Sequence, residues 1–84
     1  MAEIWEIMSS PGRVKVLQVI ARNGPLNITR IARLTGLNYN VVHAHIRFLT
    51  EAGVLECYTL GKSRICDYSN SKLARAIKEF LISV

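Results

Sequence analysis

The feature of this 84-residue sequence that most clearly indicates a binding function is a long segment that contains basic residues and no acidic ones. The net charge is +5, and residues 7–50 contain neither aspartate nor glutamate. The basic residues of that segment are Arg13, Lys15, Arg22, Arg30, Arg33 and Arg47. Acid-free positive surfaces attract polyanions, since binding releases the counterions condensed on nucleic acid. The pattern favours a nucleic-acid partner, and the alternative is a solvated, solubilising face.

Groups that carry catalysis are sparse. The sequence has one aspartate, two histidines and no glycine-rich loop that could cradle a phosphate. The histidines, His43 and His45, are two residues apart, so on a helix they point to different faces and do not share a metal ion. We therefore expect neither an enzyme nor a bound metal or other cofactor.

Length and composition predict one small globular domain over residues 1–84. Half of the residues are hydrophobic and 20% are charged, which suffices for a core and is too apolar for a disordered chain.

The apolar runs are only four or five residues long, far below the roughly 18 of a membrane span. Glu3 and Glu6 lie where a secretory signal would be basic. We expect a cytoplasmic protein without a membrane partner.

Apolar spacing and capping residues predict a mostly helical chain. The opening segment is apolar and has room for a short helix, and Ser10 with Pro11 begins a central helix that is apolar on nearly all sides. Asn27 is expected to cap a short helix through Thr35, and Asn38 a third helix that runs to about Ala52. Candidate caps for a last helix are Ser69, Asn70 and Ser71. The apolar stripe of that helix is formed by Leu73, Ile77, Phe80, Leu81 and Val84.

Alternating polarity predicts two strands, Val54–Leu60 and Arg64–Ser69. With Gly61 and Lys62 as a two-residue turn, opposite residues have numbers that sum to 123, so Cys57 faces Cys66. At this non-hydrogen-bonded position the Cα atoms lie about 4.5 Å apart, which permits a disulfide. Two buried thiols that pack as small apolar groups fit the pattern as well, and both alternatives remain open.

The order of these elements, with the local motifs, resembles the small winged helix-turn-helix transcriptional regulators of the ArsR-like and MarR-like families. The motifs are Pro-Gly-Arg-Val-Lys-Val-Leu at 11–17, Gly-Pro-Leu-Asn-Ile at 24–28, Ile-Ala-Arg-Leu-Thr-Gly-Leu at 31–37, and Val42 to Leu55 with His45, Ile46, Leu49, Ala52 and Gly53 at the family spacing. The similarity covers nearly the whole chain. It implies an α+β, mostly helical fold with a three-helix core, a two-stranded β-hairpin wing and a C-terminal helix, and it points to an archaeal protein.

The resemblance also implies how the chain would bind double-stranded DNA. The helix from Asn38 to Ala52 would enter the major groove by its N-terminal half, and the wing would lie along the backbone. The candidate contacts on this helix are Asn38, Tyr39, Asn40, His43, Ala44 and Arg47. We expect Asn40 and His43 to read base edges. The candidates for phosphate contacts are Arg47 together with Thr29, Arg30, Lys62 and Arg64.

His45 matches a position that is usually histidine in ArsR-like proteins. We expect it to be packed and hydrogen-bonded rather than functional.

The cysteine-containing metal motif that many ArsR-like sensors carry on this helix is missing. Metal sensing is therefore not expected, and no small-molecule effector is evident.

Apolar residues near both termini exceed what one small core requires, and the resemblance implies that terminal helices build a homodimer. The candidate interface residues are Ile4, Trp5, Met8, Leu73, Ile77, Phe80 and Leu81. The alternative is that both segments close the monomer core.

The function expected from the sequence is that of a DNA-binding transcriptional regulator. One alternative is a sequence-tolerant architectural protein of chromatin, which the positive charge permits equally well. Another is a protein-binding winged-helix module of a transcription complex. The polar side chains of Asn40, His43 and Arg47 favour DNA, whereas Tyr39 and Ala44 would suit a protein partner.

Overall fold

Five helices and three strands make up the part of the chain, residues 3–84, that the computed structural model describes. Their bounds are Ile4–Met8 for α1, Pro11–Asn23 for α2, Leu26–Asn27 for β1, Ile28–Thr35 for α3, Tyr39–Glu51 for α4, Leu55–Leu60 for β2, Ser63–Tyr68 for β3 and Lys72–Ser83 for α5. The predicted α+β, mostly helical class and the predicted order of helices are confirmed. Within residues 3–84, no helix has the length and apolarity needed to cross a membrane.

Side-chain caps fix where four of the helices begin. The Ser10 hydroxyl accepts from the backbone N–H of Arg13 at 3.3 Å, and Pro11 occupies the first helical position, where its missing donor costs nothing. Asn27 caps α3 and Asn38 caps α4, as predicted. Of the three candidate caps for α5, the structure uses Ser71.

The α2 helix is the centre of the fold. It packs against each of the other four helices and against β3. Its side chains Val16, Leu17 and Ile20 are fully buried, which accounts for an apolar pattern that continues around most of the helix. The Tyr68 hydroxyl donates a hydrogen bond to the Leu17 carbonyl at 2.7 Å and so fastens the end of β3 to this helix. Burial, followed by the nearby Asp67 carboxylate, raises the pKa of Tyr68.

The β2–β3 hairpin, which we call the wing, has the register predicted from its turn. Leu60 is opposite Ser63 and Cys57 is opposite Cys66. The turn depends on Gly61, which has a φ of 62°, a value that residues with a side chain rarely adopt. A positive φ at the first turn residue and not at the second is the pattern of a type II′ turn, which suits the twist of a hairpin.

The sheet has three strands rather than the expected two. The short β1 strand pairs with β3, with Leu26 opposite Cys66 and Asn27 opposite Ile65. A two-residue strand between Pro25 and the start of α3 is too short for any alternation of polarity to reveal it. Its pairing holds the beginning of α3 against the wing.

Part of the predicted dimer surface is wrong, because some of its residues on α5 are buried. Ile77 and Leu81 are only 2% and 3% exposed, so these two residues belong to the core of the chain itself. Leu73 and Met8 are half-buried against the core. The apolar stripe of α5 therefore serves mainly the monomer, as the alternative interpretation held, and only part of the predicted set remains on the surface.

Candidate nucleic-acid interface

The inner face of α4 determines which of its side chains reach solvent. Val42, Ile46 and Leu49 are buried, and their three- and four-residue spacing turns the opposite face outward. All six candidate contacts on this helix are exposed. Asn38 is partly engaged already, because its side-chain oxygen accepts from the Asn40 N–H at 2.8 Å.

Two adjoining hollows run between the start of α3, α4 and the wing. One has a volume of about 250 Å³ and is lined by Asn27, Ile28, Thr29, Tyr39, His43, Lys62, Ser63 and Arg64. The other has a volume of about 340 Å³ and is lined by Ile28, His43, Ile46, Arg47, Thr50, Glu51 and Arg64. Ile28, His43 and Arg64 line both, so the hollows form one continuous surface, which we call the basic groove.

Six of the ten predicted DNA-contact residues line the basic groove. They are Thr29, Tyr39, His43, Arg47, Lys62 and Arg64. Arg30 lies in a further hollow with Thr29 and Arg33 at the beginning of α3, next to the groove. The remaining candidates, Asn38, Asn40 and Ala44, are exposed on α4 outside these hollows.

Sequence reasoning missed Ser63 in the basic groove and Arg33 in the hollow beside it. Arg33 follows Arg30 by three residues, so both lie on one face of α3, and that spacing was a usable signal. Ser63 lines the groove because it follows the wing turn, but a lone serine in a turn carries no such signal.

Pairing of β1 with β3 brings the wing to the start of α3. Asn27, which caps α3, is opposite Ile65, the neighbour of Arg64. Thr29 and Arg64 consequently line the same hollow, although they lie far apart in the sequence.

The two faces of the wing differ in charge. Side chains alternate along a strand, so Arg64 and its partner Thr59 share the inward face with Cys57 and Cys66. Glu56 and Asp67 are opposite each other on the other face. The wing therefore presents positive charge to the groove and its two acids away from it, and the acid that lines the groove is Glu51.

Tyr39 and His43 form an aromatic pair at the N-terminal end of α4. Their ring centroids are 6.3 Å apart and their planes are inclined by 31°, within the range of a favourable aromatic contact. The four-residue spacing places both rings on one side of the helix, where both line the groove.

His45 faces away from the groove and packs against α2, as predicted, but its ring takes part in none of the hydrogen bonds among residues 3–84. A Cβ atom built on Gly12 would lie 2.9 Å from its Nε2 atom. Burial, followed by the nearby Arg13 guanidinium, lowers the pKa of His45. The expected separation of the two histidines is thus confirmed. In the described part of the chain no three His, Cys, Asp or Glu side chains come together as metal ligands would.

Arg13 also turns inward, although it belongs to the acid-free basic segment. Its guanidinium lies 3.8 Å from the centre of the Phe48 ring, and its Nη1 atom donates to the Glu6 carbonyl. This arginine joins α1 to α4 and is not part of the basic groove.

The predicted disulfide residues and the terminal apolar residues do not line the basic groove. Cys57 and Cys66 both carry free thiols. Among the apolar residues near the termini, Ile4, Trp5 and Phe80 are 47%, 67% and 57% exposed. These three side chains are the part of the predicted dimer surface that the monomer leaves open to solvent.

Known proteins resemble this chain in sequence and in structure. The profile of the HVO_A0114 family matches residues 8–73. An uncharacterised HTH-type transcriptional regulator of the archaeon Methanocaldococcus jannaschii is 31% identical over 80 residues, which cover 95% of this chain and 78% of that protein. This similarity agrees with the archaeal origin that the sequence suggested.

Two solved structures illustrate the agreement in fold. The transcriptional repressor BigR from Xylella fastidiosa superposes with a TM-score of 0.84 at 15% identity, covering 95% of this chain and 78% of that one. The homodimeric winged helix-turn-helix DNA-binding domain of Mb0332 from Mycobacterium bovis, a possible ArsR-family regulator, has a TM-score of 0.81 at 20% identity, covering 95% and 73%. At these identities the two neighbours establish a winged-helix fold, which confirms the expected architecture.

Proposed function

The chain belongs to the HVO_A0114 family and is a winged-helix transcriptional regulator of the HTH type, and we propose that it binds double-stranded DNA through the basic groove as a homodimer. Transcriptional regulators are not enzymes, which agrees with the scarcity of catalytic groups in the sequence. A regulator of this kind works where the chromosome is, so the proposal includes a cytoplasmic location.

The observation that carries the proposal is the composition of the basic groove. Arg47, Lys62 and Arg64 come from two different elements and line one continuous concave surface with the polar side chains of Thr29 and His43. Cations gathered on one surface can neutralise the phosphates of a duplex. The acids of the wing lie on its opposite face, which reduces repulsion.

The proposed division of labour follows from the position of each side chain. Asn40 and His43 lie in the N-terminal half of α4 and are the proposed base readers, because amide and imidazole groups hydrogen-bond base edges in the major groove. Ala44 allows close approach, and Tyr39 holds the His43 ring. Asn38 contributes chiefly as the cap of α4.

The remaining contacts position the protein on the backbone. We assign Arg47, Thr29 and Arg30 to phosphates beside the major groove, and Lys62 and Arg64 to phosphates along the wing. The turn of the wing has only two residues, so backbone contact is favoured there over deep insertion into the minor groove.

The proposed dimer uses the apolar side chains that the monomer leaves exposed at both ends. Ile4, Trp5 and Phe80 would form its centre, with the half-buried Met8 and Leu73 beside them. The Mycobacterium bovis neighbour is homodimeric, which supports a dimeric state here. A two-fold dimer would present two α4 helices about 34 Å apart, one turn of the duplex.

The proposal is tested by titrating a labelled mixed-sequence duplex with the protein at several stated salt concentrations. We expect the affinity to fall steeply with salt, and Arg47→Ala to weaken binding at every concentration. Arg75→Ala is the matched control, because it removes the same charge from an exposed position on α5. Equal losses in both variants would show that only net charge matters and would favour an architectural role, and no binding at all would favour a protein partner.

A further inference from the structure

Cys57 and Cys66 form a thiol pair inside the wing. They are directly opposite each other on β2 and β3, with both side chains on the inward face. Cys66 is fully buried and Cys57 is half-buried. At a non-hydrogen-bonded position of this kind the Cα atoms are about 4.5 Å apart, within the range that a disulfide spans.

A chain of hydrogen bonds joins this pair to α4. The Thr50 hydroxyl donates to the Ile46 carbonyl at 2.7 Å, and its oxygen lies 4.0 Å from the Cys57 sulfur. Because the hydroxyl hydrogen is already used, the Cys57 thiol is the donor to Thr50. This contact links β2 of the wing to α4, and Cys66 lies opposite Cys57 on the neighbouring strand of the wing.

The pair lies directly behind the basic groove. Thr50 lines the groove together with Arg47 and Arg64. Arg64 is two residues from Cys66 and therefore lies on the same face of β3. A change in the thiol pair therefore affects both the contact between the wing and α4 and the strand that carries Arg64.

The two thiols differ in reactivity. Burial, followed by the hydrogen bond to Cys57, raises the pKa of Cys66 to about 12, so this thiol stays protonated and is shielded from solvent. Cys57 is the one that a small oxidant can reach. It would react first, and Cys66 is placed to resolve the product.

We propose that Cys57 and Cys66 are an oxidation site, where a peroxide converts the dithiol into an intramolecular disulfide that weakens the hold of the wing on DNA. The Cys57 sulfur attacks the peroxide O–O bond, becomes a sulfenic acid and releases water. The Cys66 sulfur then displaces the sulfenic hydroxyl, which leaves as a second water. Two electrons pass from the thiols to the peroxide, and a dithiol reductant reverses the change.

Disulfide formation removes both S–H hydrogens. Thr50 then has no donor from the wing, and the Cys57 sulfur moves toward Cys66. The wing loses this hydrogen bond to α4, and the inward face of the wing, which carries Arg64, shifts relative to Arg47. This effect on DNA rests on the proposed function, whereas the formation of the bond does not.

The test treats the protein with hydrogen peroxide and reads the chemistry before any DNA is added. We expect a mass lower by two hydrogen atoms, no thiol available to iodoacetamide after unfolding in denaturant, and a monomeric chain on non-reducing denaturing electrophoresis. The affinity for a mixed-sequence duplex should then fall several-fold and recover with dithiothreitol. Cys57→Ser is the matched control, because its hydroxyl can still donate to Thr50 but cannot form the bond. It should bind like the reduced protein and be insensitive to peroxide.

Each other outcome contradicts a defined part of the proposal. Persistent free thiols, sulfinic acid or disulfide-linked dimers would overturn the oxidation site. An intramolecular disulfide with unchanged or higher affinity would overturn its action on the wing. Equal loss of affinity in Cys57→Ser would trace the effect to other oxidised residues such as Met8. If neither form binds DNA, the proposed function fails, while the mass measurement still decides the disulfide.

Discussion

Gly12 and His45 meet so closely where α2 packs on α4 that a side chain at the glycine would require the His45 ring to move. A Cβ atom on Gly12 would lie 2.9 Å from the His45 Nε2 atom, closer than carbon and nitrogen pack without movement. This contact is one of those that fix how α4 packs on the central helix. The position of the proposed DNA-reading face therefore depends on a glycine and a histidine that do not line the groove.

Gly12→Ala should be harmful only while His45 is present. Overpacking costs about 1–3 kcal/mol, and alanine in a helix regains about 1 kcal/mol. We expect Gly12→Ala to lower the free energy of unfolding in the natural background and to raise it in a His45→Ala background. Denaturant unfolding of the four proteins of this double-mutant cycle gives the coupling. Additive effects would contradict the contact.

Acid should destabilise the fold through His45. Its pKa is lowered in the folded state from the ordinary value of 6.5, by burial and then by Arg13. As the pH falls below about 6.5, the unfolded chain takes up this proton before the folded one, so stability decreases until the folded pKa is passed. His45→Gln should flatten this part of the profile of unfolding free energy against pH. His43→Gln keeps His45 and should keep the slope, and the same slope in all three proteins would contradict the prediction.

Asn40→Ala and Arg47→Ala should weaken DNA binding in different ways. Loss of a base contact costs about 1–3 kcal/mol on the preferred site and relaxes the preference there. Loss of a phosphate contact weakens all duplexes alike. Affinities of both variants for the preferred site and for a scrambled site separate the two effects. A parallel loss on both duplexes in Asn40→Ala would remove its assignment as a base reader.

The wing should contribute to the salt dependence. Each phosphate contact adds about 0.9 to the slope of log affinity against log salt, so Lys62→Ala and Arg64→Ala should each reduce that slope by about 1. Arg75→Ala, on the exposed face of α5, should leave it unchanged. Slopes from anisotropy titrations measure this. A wing that lies off the duplex would give unchanged slopes in all three variants.

A charge at Phe80 should dissociate the proposed dimer. Phe80 is 57% exposed in the monomer, so Phe80→Glu should leave folding intact and place an uncompensated charge in the apolar interface. We expect sedimentation to show monomers for this variant and dimers for the natural protein. Asn70→Glu adds the same charge at an exposed site before α5 and should remain dimeric. Sedimentation of the natural protein as a monomer would refute the dimer.

The local elements were predictable because their signals are local. A cap such as Asn38 needs only its own side chain and the next turn of helix. The register of the wing follows from the length of its turn, which places Cys57 opposite Cys66. The outward face of α4 follows from the spacing of Val42, Ile46 and Leu49.

What the sequence could not predict depends on contacts between distant segments. The pairing of β1 with β3 involves two residues and leaves no periodic signal, yet it brings Thr29 to the wing. The sequence of an apolar helix stripe does not show whether the stripe packs in the core of its own chain or against a second chain. Ile77 and Leu81 were therefore assigned to a dimer interface, although they are buried in the monomer core. The positive charge of Arg13 likewise does not predict that its side chain turns inward and packs on the Phe48 ring.

Selection from a pool of random-sequence duplexes, near physiological salt, tests the central claim most directly. The bound fraction is recovered and sequenced. A dimer that reads DNA with α4 should enrich an inverted repeat whose half-site centres are about 10 base pairs apart, and Asn40→Ala should relax one position in each half-site. Binding without any enriched sequence, or no recovered DNA, would contradict the account.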